Sequence, residues 1–89
     1  APHAEERYAK EAQRLYRVLD ARLDGRPFIA GEYTIADIAT WPWISRFAWQ
    51  GIDLEDHPRV RDWYVRIAGR PAVQRGYAVP DAEAAIPMP

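Results

Sequence analysis

Asp37 is the carboxylate in this sequence best placed to do chemistry, because it lies three residues after Thr34 at the head of an apolar stretch and is the acid most readily drawn out of water. A partly buried carboxylate is a candidate general acid or base. The same spacing also has a purely structural account. Thr34 can accept the amide N–H of Asp37 while the Asp37 carboxylate accepts the amide of Thr34, and Tyr33 can pack on Ile38, which together make a capping box with a hydrophobic staple. Asp stands where Glu or Gln is usual, so its reach is shorter. Capping explains the position of Asp37 completely, and it is read as a cap. Arg7 is the basic residue of most interest. On spacing alone it is a solvated arginine near Glu11, a weak exposed pair. Its rigid guanidinium fork nevertheless matches a carboxylate, so a small dianionic peptide lying against its helix could use it.

The other reactive types are poorly placed. His3 and His57 lie far apart on different elements, so His57 reads as a capping or surface residue and no metal site is expected. Ser45 is the only serine and has no elbow motif around it. No glycine pattern resembles a phosphate-binding loop. There is no cysteine, hence no disulfide, no thiolate nucleophile and no CxxC pair, and any redox chemistry must be borrowed.

The elements that position these residues must come from 89 residues, enough for one domain with its own core. Hydrophobic types at 48% and charged types at 28% suit a soluble globular chain rather than a disordered one. A formal charge of −1 offers no overall positive field for nucleic acid or an anionic membrane. No apolar run approaches membrane-spanning length and the acidic first residues do not resemble a signal peptide, so a cytoplasmic setting is expected.

From Ala4 to Leu23 the apolar residues Tyr8, Ala12, Leu15, Tyr16, Leu19 and Leu23 recur at helical steps, and Gly25 with Pro27 stops the helix. Phe28 and Ile29 sit in a loop and are expected to turn inward. A second helix is expected from Ile35 to about Gln50, kinked at Pro42 and ringed by Trp41, Trp43, Phe47 and Trp49. These rings do not share one stripe, so this helix is expected to be covered on several sides and to lie centrally; they are read as core rather than as a ligand platform. Pro58 opens a third helix, with His57 or Asp56 as cap and Val60, Trp63, Tyr64 and Ile67 as its buried stripe, closed by Gly69. Pro71 to Arg75 form a short fourth helix ended by Gly76, and Tyr77 to Pro89 form an extended tail. The result is an all-α bundle of the four-helix type.

The residues Tyr33-Thr34-Ile35-Ala36-Asp37-Ile38-Ala39, preceded by Phe28-Ile29-Ala30-Gly31-Glu32 and followed by Trp41-Pro42-Trp43, resemble the capping-box segment of the C-terminal helical domain of cytosolic glutathione transferases. Arg7-Tyr8, Glu11, Arg14-Leu15-Tyr16, Pro58, Val60, Trp63 and Arg70-Pro71-Ala72-Val73 extend the similarity, which is greatest to the bacterial nu-class, or disulfide-bond oxidoreductase, group. The resemblance covers about Glu6 to Arg75 and implies that residues 1–89 are one such helical domain without the thioredoxin-like N-terminal domain that binds most of the glutathione. It further implies glutathione as co-substrate, a small electrophile or disulfide as second substrate, a homodimer, and Arg7 as the residue that reaches glutathione. The alternative is a non-catalytic interaction module of the kind appended to translation factors and aminoacyl-tRNA synthetases. A helix-turn-helix DNA binder would rest on Arg59, Arg61, Arg66 and Arg70 alone, and no nucleic-acid partner is expected.

Overall fold

The computed structural model describes residues 2–77 and 85–89, with the backbone alone for 2–5. Its elements in chain order are α1 (Pro2–Arg22), α2 (Ile35–Ile44), a 3₁₀ turn (Leu54–Asp56), α3 (Pro58–Ala68) and α4 (Pro71–Tyr77), and the described residues contain no strand. The all-α expectation holds. Among the described residues no helix is long and apolar enough to cross a membrane.

The hub is α3, not α2 as the ring-rich sequence of the second helix suggests. Helices α1, α2 and α4 and the 3₁₀ turn each pack on α3, whose Val60, Trp63, Tyr64, Ile67 and Ala68 are buried. That spacing of three and four residues is the stripe a single helix needs to meet neighbours on its inner side. From α1 the row Ala12, Tyr16 and Leu23 is buried and Leu19 is partly so, whereas Tyr8 and Leu15 of the expected stripe are exposed. Helix α1 packs on α3 and reaches α2 through Tyr16, whose ring lies 5.4 Å from that of Trp43, and it hides a narrower band than its periodicity allows.

Helix α2 is shorter than expected. It ends at Ile44, and turns carry the chain from Ser45 to Gly51. Pro42 has no N–H to give to the ladder, and four residues beyond it the pattern tightens: the Arg46 and Phe47 amides donate to Trp43 O at 3.3 Å and Ile44 O at 2.9 Å, three residues back. The hydroxyl of Ser45 donates to the Pro42 carbonyl at 2.6 Å and secures the turn. Gly51, with φ of 73°, takes the left-handed conformation that reverses the chain. Trp41 and Phe47 are buried and Trp43 packs against the core, but Trp49 is 82% exposed, so the expected ring of four is a ring of three.

His57 occupies the N-cap position of α3 as expected, but its side chain makes no capping bond. The cap comes from α1: Asp20 Oδ1 accepts the amides of Arg59 at 2.9 Å and Val60 at 3.1 Å, and its Oδ2 accepts Arg59 Nη1 at 3.2 Å. His57 is instead buried, its Nε2 3.3 Å from Gln13 Oε1 and its ring 5.5 Å from that of Tyr16. Because Asp20 ties two helices through two otherwise unmet amides, Asp20→Ala should cost about 1 to 3 kcal/mol, measured by urea unfolding. A loss below about 0.5 kcal/mol would show that water serves these amides equally well.

The last helix runs through Gly76 to Tyr77, two residues beyond its expected end. Most of the expected tail, residues 78–84, lies outside the described residues. Its end returns to the core, where Ile86 packs and the Tyr64 hydroxyl donates to the Pro87 carbonyl at 2.6 Å.

Candidate functional site

The capping box forms as its spacing predicts. Thr34 adopts an extended backbone, its Oγ1 accepts from the Ala36 amide at 3.3 Å, and its own amide donates to Asp37 Oδ2 at 2.9 Å. The other carboxylate oxygen does more than the sequence reveals. Oδ1 accepts the Ile29 amide at 3.0 Å from the preceding loop and the Trp63 indole N–H at 2.8 Å from α3. Asp37 is 0% exposed and so joins the α1–α2 loop, the start of α2 and the middle of α3. Trp63 is the partner that the spacing left unseen. The available signal was that a tryptophan on a buried stripe needs an acceptor for its N–H.

Burial alone would raise the Asp37 pKa, but the donors from Ile29, Trp63 and Thr34 together outweigh it and hold the carboxyl below its ordinary range. An acid kept ionised and filled with donors has neither a proton to give nor a free lone pair directed at a ligand. It is a structural carboxylate. Since its folded pKa lies below the unfolded one, its stabilisation is complete above the ordinary Asp value of about 3.9 and is lost as pH falls through the folded value. Acid titration followed by tryptophan emission should therefore show stability falling below about pH 4, with a shallower fall in Asp37→Asn. Equal slopes in the two proteins would refute this assignment.

Arg7 lies on the exposed side of α1. Together with Lys10, Arg14 and Arg17, at steps of three and four residues, it lines a surface groove of about 610 Å³. The weak Arg7–Glu11 pair expected from spacing is absent. Glu11 instead engages Arg14, whose Nε donates to Oε2 at 3.2 Å and whose Nη2 pairs with Oε1. Arg14 holds the Glu11 carboxyl below its usual range. Among the described residues Arg7 is in no ion pair, so its fork remains available in a basic row. The structure does not bring Arg7 and Asp37 into one site, since one faces solvent on α1 and the other is buried beneath α2 and α3.

The described residues thus form an all-helical domain pinned by a buried capping-box aspartate, with a basic row along its first helix. The sequence model of the glutathione S-transferase C-terminal domain matches residues 2–66, and the chain belongs to this family. Among its relatives is the disulfide-bond oxidoreductase YfcG of Escherichia coli, 53% identical over 72 residues, which are 80% of this chain and 34% of that protein. The disulfide-bond oxidoreductase YghU of the same species is 40% identical over 85 residues, 86% of this chain and 30% of that protein. The glutathione S-transferase GstB of Escherichia coli is 32% identical over 72 residues, 80% of this chain and 35% of that protein. The chain thus spans about a third of the length of these relatives.

Proposed function

We propose that this chain is the helical half of a glutathione-dependent enzyme that reduces disulfides, with conjugation to an electrophile as the related activity, acting in the cytoplasm as a homodimer. Arg7 would bind a carboxylate of glutathione or its disulfide, and the rest of the domain would wall the second-substrate pocket and carry part of the dimer contact. The observation that carries the reading is Arg7 on the basic row of α1, in no ion pair among the described residues, in a chain similar to two proteins named disulfide-bond oxidoreductases. The enzyme names of the relatives favour it over an appended interaction module.

The chemistry asks little of this chain's own side chains. A glutathione thiolate attacks one sulfur of the substrate disulfide, forming a mixed disulfide and releasing the other sulfur as a thiolate that takes up a proton. A second glutathione thiolate then attacks the glutathione sulfur of the mixed disulfide, giving glutathione disulfide and the second substrate thiol. The nucleophile is the co-substrate's sulfur, which accounts for a sequence without cysteine. The group that lowers the glutathione thiol pKa would belong to a thioredoxin-like domain joined to this one.

Glutathione with a small aliphatic disulfide provides the test. The two-domain protein should turn over well above the uncatalysed exchange, and the 89-residue chain alone should not. Turnover by the isolated chain, or none by the two-domain protein, would overturn the reading.

A further inference from the structure

Arg66, Arg70 and Arg75 line a surface concavity of about 570 Å³ whose remaining walls are Gly69, Pro71 and Ala72, residues too small to fill it. None of the three arginines is in an ion pair with a carboxylate among the described residues, whereas Arg14, Arg59 and Arg61 all are. Two of the three are held by aromatic rings. The Arg70 guanidinium carbon stands 3.7 Å from the centroid of Tyr33, and that of Arg66 stands 5.8 Å from the centroid of Phe28. Those rings themselves meet edge to face at 5.5 Å. Arg70 thus stacks on Tyr33, and Arg66 stands at the outer limit of a cation–π contact with Phe28.

Stacking fixes the plane of a guanidinium while leaving the N–H groups on its edge free to donate. Arg66 gives one donor, Nη1, to the Pro27 carbonyl at 2.6 Å, which fixes its position further. Arg70 and Arg75 make no side-chain hydrogen bond within the described residues. Arginines ordered in this way have lost part of their rotamer freedom before any ligand arrives, so binding costs less. A single carboxylate is satisfied by one fork. A phosphoryl group carries nearly two charges on three tetrahedral oxygens and can accept from several forks at once. The concavity is shallow and open to solvent, and apart from the arginines its walls offer no side chain for specific contact.

We propose that Arg66, Arg70 and Arg75 form an anion site that takes the phosphoryl group of a small phosphorylated ligand, separate from the glutathione contact at Arg7. The test is calorimetric titration of the full chain at constant ionic strength with pyrophosphate, succinate and glutathione. Saturable binding of pyrophosphate, at least tenfold tighter than that of succinate, is expected, with Arg70→Gln weakening it about tenfold or more. Arg75→Gln, at an exposed residue whose side chain makes no hydrogen bond or ion pair among the described residues, should also weaken it and decides the matter if Arg70→Gln does not fold. Absence of saturation, succinate binding as tightly, or affinity indifferent to these variants would overturn the proposal. So would glutathione displacing pyrophosphate at lower concentration, which would give these arginines to the co-substrate. Failure of the disulfide-reduction reading would leave the phosphoryl result unchanged, because no step here uses glutathione.

Discussion

Replacing Asp37 by Ala is expected to destabilise the domain by about 2 to 5 kcal/mol. The sum combines the loss of a helix cap with the stranding of buried donors. The Trp63 indole is wholly buried and its N–H has no other acceptor among the described residues, and the Ile29 and Thr34 amides lose theirs as well. Against a total stability of about 5 to 15 kcal/mol for a domain, this is enough to leave much of the chain unfolded near body temperature. Asp37→Asn keeps the shape and one acceptor but turns an amide N–H toward a donor, so its loss should be smaller and still measurable. Urea unfolding followed by tryptophan emission gives both values. A loss under about 1 kcal/mol for Ala would mean that the loop, α2 and α3 are held together by apolar packing alone.

What was legible in the sequence was what is decided locally. The box Thr34 to Asp37 closes within one helical turn, and the stripe Val60, Trp63, Tyr64 and Ile67 follows helical periodicity, so both appear as read. What was not legible depends on partners distant along the chain. Asp20 reaches the amides of α3 across 39 and 40 residues, and no local rule announces it. The burial of His57 against Gln13 and Tyr16 has the same origin. Trp49 is a residue type that is usually buried to a large degree, yet the turn after Ile44 rotates it off the core. Arg7 shows the converse. Its expected local partner, Glu11, was taken by Arg14, and only the structure shows that its fork is unpaired among the described residues.

Arg7→Ala in the two-domain protein should weaken glutathione or glutathione disulfide by about 1.5 to 3 kcal/mol, the range for a hydrogen bond to a charged group, or roughly 10- to 150-fold. Arg7→Lys should recover part of this, because an ammonium keeps the charge and loses the fork. Neither change should disturb folding, since Arg7 is exposed and among the described residues makes no ion pair or side-chain hydrogen bond. The decisive measurement is the calorimetric dissociation constant of glutathione disulfide for the wild-type and Arg7→Ala two-domain proteins at matched salt. A rise of at least tenfold with an unchanged melting temperature is the predicted result; equal constants would contradict the role of α1 in holding the co-substrate.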